Sequence, residues 1–567
     1  MPDDPLLSNP NVGSRLSVQT AEAPDRIAIA TPLGSHRQGT NRPYQTITMR
    51  ELDVRSSAIA AGLQEMGVGP GKRIGLLVRF GEDFITLVFA VLKSGATLVL
   101  IDPGMGRRNL IQCLAESQPD GFIAIPVAHA ILKCFGSKFP NAKLNVTVGK
   151  KWIGMPSPTL SQLENCSPSS LRLNLATPSD PAAIIFTTGS TGPPKGVLYT
   201  HRTFNSQIDQ IADQYRIAPG GKDLSCFPLF GLFNAVMGTT TILPDMNPIR
   251  PADVEPGRLL DAVDQWQINQ SFGSPALWTR VGGYCQENGR RVPSLRLVLS
   301  AGAPVPSRVL EQMRSAMHPE GCMYTPYGAT EALPIASIES RTVLGETSLR
   351  TRQGYGTCVG NRFSGIQWCV IGISDTPIQN ICDTKPLAHG MIGELMVSGK
   401  VVTREYVTRL DQNALHKVFD GERVWHRMGD VGYLDEQDRF WFCGRKSHRV
   451  ITPDEVLHTE TVEAIANTHP SVYRSALIGL GKRRSQTAML IVEPWPVDVN
   501  HPKVTNQHII DGVSKLLREN PRSKSVERIA VYPKKLPTDI RHNSKIFREQ
   551  LTVWANDRYD AFDANKD

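Results

Sequence analysis

The 567-residue chain is too long for one ordinary hydrophobic core and implies roughly two to four domains. Apolar and charged residues at 40% and 20% describe a folded, water-soluble protein, and a net charge of +8 over so large a surface excludes an obvious nucleic-acid platform. The ten cysteines include no Cys-x-x-Cys pair and no metal-ligand spacing, which excludes a zinc ribbon and fits a reduced, cytoplasmic compartment.

Residues 1–11 are polar and Pro-bearing and lack the charged start and apolar core of a secretory signal. Residues 26–30 and 45–48 read as short strands. Residues 49–66 have helical spacing and stop at Gly67. Strands at 74–78 and 97–101 alternate with helices at 82–93 and 108–117, the pattern of βαβ units and a parallel sheet. The most apolar stretch, 84–99, is broken by Lys93, Ser94 and Gly95, so helix, turn and strand explain it better than a membrane span. Strands at 122–125 and 144–148 follow, and residues 156–181, rich in Ser, Pro and Asn, read as a linker.

The linker delivers the chain to a buried strand at 182–186 and then to Thr187-Thr188-Gly189-Ser190-Thr191-Gly192-Pro193-Pro194-Lys195-Gly196. This run has the makings of a phosphate clamp. Glycines let backbone N–H groups approach an anion, hydroxyls add donors, and Lys195 supplies a point charge. It is not a Walker loop, because Pro194 holds a glycine place and Gly196 follows the lysine. Beyond it, 204–215 is helical and 225–234 is apolar and aromatic. Phe227, Phe230 and Phe233 read equally well as pocket lining and as core. A strand at 295–299 leads through Ser300, Ala301, Gly302 and Ala303 to a helix opened by Pro306. A strand at 322–324 precedes Tyr327-Gly328-Ala329-Thr330-Glu331. Later come Gly393 to Gly399, the turn Met428-Gly429-Asp430, Gly444-Arg445-Lys446, and a C-terminal run of shorter helices and strands ending in His542-Asn543-Ser544-Lys545-Ile546-Phe547-Arg548. The basic excess is concentrated in this last part, suiting a small domain that meets a polyanion such as ATP; a solvated basic face is the plainer alternative.

The clamp, the Tyr-Gly-x-Thr-Glu run and the Gly-Asp turn together resemble the adenylate-forming superfamily of acyl-CoA synthetases, luciferases and peptide-synthetase adenylation domains. That resemblance implies an α/β fold with a large multi-subdomain N-terminal domain, 1–444, and a small, mobile α+β lid, 445–567. It implies ATP and Mg²⁺ as cofactors, with Thr187, Thr188, Gly189, Ser190, Thr191, Gly192 and Lys195 on the phosphates. Gly302 and Ala303 would lie against the adenine beside Tyr327 and Gly328, and Thr330 would contact phosphate. Glu331 would hold the metal, as a hard cation bridging phosphate oxygens requires. Asp430 would accept the ribose hydroxyls, Arg445 would reach the nucleotide, and Lys545 would offset charge at the reacting centre.

Five departures point within that superfamily. Gly231 stands where many relatives carry His, and the 225–234 segment has no Asp for a substrate amino group, which argues for an apolar acid. Met428 replaces Thr, and Ser544 replaces Gly before the lysine. Residues 447–460, which in CoA ligases carry a glycine-containing loop shaping the thiol tunnel, contain no glycine. Together the His-Asn-Ser-Lys-Ile-Phe-Arg ending, the 225–234 segment and the glycine-free loop resemble the olefin β-lactone synthetases. These are implied to adenylate a long-chain 2-alkyl-3-hydroxy acid and close it to a β-lactone, releasing AMP and pyrophosphate, in company with other olefin-pathway enzymes. His201, His448 and His542 are candidates for the base that takes the hydroxyl proton. A conventional fatty acyl-CoA or acyl-carrier ligase and a non-catalytic adenylate-fold binding protein are the alternatives.

Overall fold

The computed structural model describes residues 9–36, 41–156, 158–172, 176–187, 192–497, 502, 504–539 and 545–563. The expected βαβ units form a six-stranded sheet in the spatial order Val146–Thr147, Gly121–Ala124, Arg73–Leu77, Thr97–Leu100, Pro181–Phe186, Gly196–Thr200. Its first five strands are parallel; the last turns back antiparallel to its neighbour. The two strands flanking the clamp are thus one hairpin at the sheet's edge. Helices Met49–Glu65 and Glu82–Ser94 cover one face, and Arg107–Glu116 and Pro126–Cys134 the other.

A fourteen-stranded sheet carries the motifs between Ser300 and Arg445. One part is parallel, with Lys222–Ser225, Gln270–Gly273, Leu297–Ser300 and Cys322–Ala329 side by side. It then becomes antiparallel through Ala332–Glu339, Thr357–Arg362, Arg439–Arg445, Arg423–Leu434 and Gly393–Ser398. A separate three-stranded sheet, Val472–Leu480, Thr487–Pro494 and Arg528–Val531, is flanked by helices Thr459–Ala466, Asn506–Glu519 and Arg548–Asp563 and has its own apolar core. Residue 445, where the lid is expected to begin, is the last residue of the strand Arg439–Arg445.

The structure corrects several expectations. The 156–181 linker contains a helix, Leu160–Glu164, started by a reciprocal Thr159–Gln162 capping box and anchored by buried Leu160 and Leu163. The strand expected at 322–324 runs on through Ala329, so the Tyr-Gly-Ala part of the motif is strand and only Thr330 and Glu331 form the turn. Met428-Gly429-Asp430 is not a free turn either. It is an irregularity inside the strand Arg423–Leu434, where the register against Gly393–Ser398 shifts and Gly429 adopts φ +67°. The glycine-free segment folds as a 3₁₀ turn, Lys446–His448, followed by the small hairpin Val450–Ile451 with Val456–Leu457.

Candidate active site

The clamp is closed at its base by its own ends. The Thr187 N–H donates to the Lys195 carbonyl (3.0 Å) and the Lys195 N–H donates to Thr187 Oγ1 (3.1 Å). Thr188, Gly189, Ser190 and Thr191 lie outside the described residues. The Lys195 ammonium donates to His416 Nε2 at 3.2 Å and sits 4.9 Å from the centre of the Tyr406 ring. Because a lysine ammonium has no acceptor, His416 must offer its Nε2 lone pair, which leaves the proton on Nδ1, 3.4 Å from the Arg427 carbonyl. Burial, reinforced by Lys195, lowers the His416 pKa to about 4 and keeps the ring in this neutral form.

Glu331 is buried at the turn after Tyr327-Gly328-Ala329-Thr330, and the Tyr406 hydroxyl donates to its Oε1 at 2.6 Å. Burial alone would raise its pKa. The Tyr406 hydrogen bond and the Lys417 and Lys195 charges reverse that and hold the carboxylate ionised. Lys417 is itself fully buried, donating to the Thr403 carbonyl at 2.6 Å, and burial draws its pKa down to about 7. Thr330 lends its carbonyl to the Tyr199 hydroxyl. Among the described residues no three His, Cys, Asp or Glu side chains are grouped to hold a metal. A lone carboxylate suits Mg²⁺, which takes one or two protein carboxylates and completes its shell with water and substrate phosphate oxygens.

Asp430 is buried between two partners. The Tyr327 hydroxyl donates to its Oδ2 at 2.5 Å and the Arg445 guanidinium lies 2.8 Å from its Oδ1. Arg445 also donates to the Met428 carbonyl at 3.0 Å, bracing the strand irregularity. Burial raises the Asp430 pKa and Arg445 opposes it. A carboxylate offers about four lone-pair sites, so both oxygens keep capacity for further donors. Gly302, at φ +102°, and Ala303 line the same cavity. That cavity, about 2800 Å³, brings together Thr187, Gly192, Lys195, Gly302, Ala303, Tyr327, Gly328, Thr330, Glu331, Asp430, Arg445 and Lys545. Lys545 is set by its backbone, its N–H donating to Asp539 Oδ1 at 2.8 Å.

Of the candidate bases, His201 does not line the cavity; its Nδ1 accepts the Val12 N–H at 3.2 Å, a structural role. His542 lies outside the described residues. His448 lines the cavity, where burial lowers its pKa to about 3 and leaves a neutral but weak base. Sequence reasoning missed Tyr406, His416, Lys417 and His426. None belongs to a spaced motif; antiparallel pairing of Lys417–Asp420 with Arg423–Leu434 sets Lys417 opposite His426 and beside the Glu331 turn.

Thr187, Lys195, Glu331 and Asp430 facing one cavity is the arrangement expected of an AMP-binding enzyme. The model of the AMP-binding enzyme family matches residues 16–407, and the chain belongs to that family. Within it, the chain belongs with the olefin β-lactone synthetases. It is 41% identical over 558 residues to the olefin β-lactone synthetase of Stenotrophomonas maltophilia, covering 96% of this chain and 98% of that protein. It is 42% identical to that of Xanthomonas campestris, covering 96% and 97%. Among solved structures, ATP-bound MatB of Rhodopseudomonas palustris shares the fold (TM-score 0.77, 20% identity, 97% of this chain and 100% of that one). So does the o-succinylbenzoate CoA synthetase of Bacillus subtilis with ATP and magnesium (TM-score 0.72, 19% identity, 95% and 98%).

Proposed function

We propose that this enzyme adenylates a long-chain 2-alkyl-3-hydroxy acid with ATP and closes the acyl-adenylate to a β-lactone. The observation that carries the reading is the similarity to olefin β-lactone synthetases over 96% of the chain, lid included. Geometry supports it, because the phosphate-binding groups and an extensive apolar lining share one cavity. The substrate carboxylate attacks the α-phosphorus and pyrophosphate leaves. The 3-hydroxyl oxygen then attacks the activated carbonyl carbon, the C–O bond to AMP breaks, and the hydroxyl proton is released. Intramolecularity supplies the effective concentration that a four-membered ring needs.

In this reading Lys195 and Thr187 hold phosphate oxygens, with Thr188, Gly189, Ser190, Thr191 and Gly192 completing the clamp. Glu331 would hold Mg²⁺, whose chemistry is neutralisation of charge on the phosphates. Asp430 and Arg445 bind the ribose, Gly302, Ala303, Tyr327 and Gly328 the adenine, and Thr330 phosphate. Lys545 enters from the lid, residues 445–567, to stabilise charge on the α-phosphate and carboxylate. All ten cysteines are free, which supports a cytoplasmic location, and no described helix is long and apolar enough to cross a membrane.

The test is product identification by mass spectrometry and NMR after incubation with a racemic long-chain 2-alkyl-3-hydroxy acid, ATP and Mg²⁺, with and without CoA. A β-lactone formed equally in both is the expected result. An acyl-CoA formed only with CoA, and no lactone in either, would replace this reading with an acyl-CoA ligase.

A further inference from the structure

The carboxyl end of the six-stranded sheet meets the cavity, and successive residues there point to opposite faces. Leu76, Leu100 and Ile185 belong to the core beneath helices Met49–Glu65 and Glu82–Ser94. Their chain neighbours Leu77, Ile101 and Phe186 belong to the core beneath Arg107–Glu116 and Pro126–Cys134. All six line the one cavity. On the first side it is walled further by Phe80, Phe84, Leu232 and Phe233, and on the second by Leu110, Ile111, Ala128 and Leu132. The sheet end is therefore a ridge with an apolar trough on either side. Thr187, which follows Phe186, and Lys195, which precedes the returning strand, rise from that ridge. The same cavity, about 2800 Å³ in all, runs on past Asp430 to C-terminal residues such as Tyr473 and Trp495.

A straight-chain acid would need one trough. An acid with hydrocarbon chains on the two carbons next to its carboxyl group needs two that converge where the carboxylate is held. We propose that the ridge separates the two alkyl chains of the substrate, one seated in each trough, with the carboxylate at the ridge beside Thr187 and Lys195. The assignment rests on the two-chain hydroxy-acid reading above and adds which residues select each chain's length: Ala128 and Leu132 on one side, Leu232 and Phe84 on the other.

The test uses synthetic 2-alkyl-3-hydroxy acids in which one chain at a time is shortened, with pyrophosphate release as readout. Ala128→Trp narrows one trough and Leu232→Trp the other. With both chains long, each variant is expected to lose about tenfold or more in kcat/KM. Shortening one chain restores each variant, and the restoring chain differs between the two. Relief of both variants by shortening the same chain, or relief of neither, would overturn the proposal. Ala128→Leu and Leu232→Phe ask the same question with less added volume if a tryptophan variant fails to fold, and release of pyrophosphate with doubly short acids verifies an intact site. Because pyrophosphate leaves at adenylation, the answer is independent of ring closure. A wild type that adenylates two-chain acids but yields no lactone would sink the ring-closing step and leave the trough assignment standing.

Discussion

Two buried carboxylates, Glu331 at a turn between strands of the large sheet and Glu394 within one of its strands, each stand near two cations, and their surroundings divide binding from structure. Glu394 is paired with a cation on each oxygen: Arg427 donates to Oε2 at 2.7 Å and Lys446 to Oε1 at 2.8 Å, and the same cations are held by the carbonyls of Thr376 and Ser374. At Glu331 the cations are directed elsewhere. Lys195 donates to His416 and Lys417 to the Thr403 carbonyl, and the carboxylate takes its hydrogen bond from the neutral Tyr406 hydroxyl. A carboxylate locked between ammonium and guanidinium anchors structure, here Lys446 next to the proposed start of the lid. One stabilised by nearby charge and held by a hydroxyl retains acceptor capacity for an incoming cation.

The sharpest way to break this comparison is to neutralise each in turn. Glu394→Gln leaves the buried Arg427 and the partly buried Lys446 without their counter-charge and is expected to destabilise the fold by about 3–5 kcal/mol, seen as a large fall in thermal midpoint. Glu331→Gln keeps an acceptor for Tyr406 and is expected to cost only about 1 kcal/mol of stability, while ATP–pyrophosphate exchange falls on the order of 10²–10³-fold. The reverse pattern would show that Glu331 is the structural member.

Next in size is Lys545→Ala. Exchange is expected to fall on the order of 10²-fold or more while nucleotide binding to the large domain persists, since the lysine acts on charge that develops at the reacting centre. Unchanged exchange would show that Lys545 does not act at the reacting centre.

How far such assignments were legible in the sequence depended on whether function sits in contiguous residues. Gly328, Thr330, Glu331 and Asp430 could be found because tight turns and strand irregularities force neighbouring residues into one site. Lys195 was legible, but its tether to His416 was not, since 221 residues separate them and the gap is closed by an antiparallel bridge of Val197 with Tyr406 that no local pattern announces. Composition also hid local structure: the Leu160–Glu164 helix lies in a Ser- and Pro-rich stretch, although its Thr159–Gln162 capping box was there to be read. The helix Arg548–Asp563 has only Leu551 and Ala555 as buried apolar anchors among its described side chains, too few to give a periodic signal.

His416 offers a gentler probe of the Glu331 side. His416→Ala removes the acceptor that holds the Lys195 ammonium, and an increase of about tenfold in KM for ATP is expected, because a misplaced phosphate ligand weakens positioning. His416→Gln, which restores an acceptor, should recover most of it; equal defects in both would assign His416 a packing role.

The smallest effect tests whether burial without a cation is costly, the case that neither Glu331 nor Glu394 represents. Asp223 is fully buried and, among the described residues, accepts only from neutral donors, Ser225 Oγ at 2.7 Å and Asn234 Nδ2 at 2.8 Å, and burial pushes its pKa up to about 6. In the unfolded chain an aspartate titrates near about 3.9. Between these values the folded state keeps a proton that the unfolded state has released, so stability falls as pH rises through the window, by about 3 kcal/mol in full. Asp223→Asn cannot ionise and can accept the same two hydrogen bonds, at the expense of a buried amide N–H₂ worth about 1 kcal/mol if left unpaired. The variant is therefore expected to flatten the dependence of the thermal midpoint on pH between 4 and 6 and to be more stable than wild type at pH 8 by about 1–2 kcal/mol. An unchanged slope would mean that Asp223 remains ionised in the fold, and that neutral donors alone can hold a buried carboxylate as well as the cations around Glu394 do.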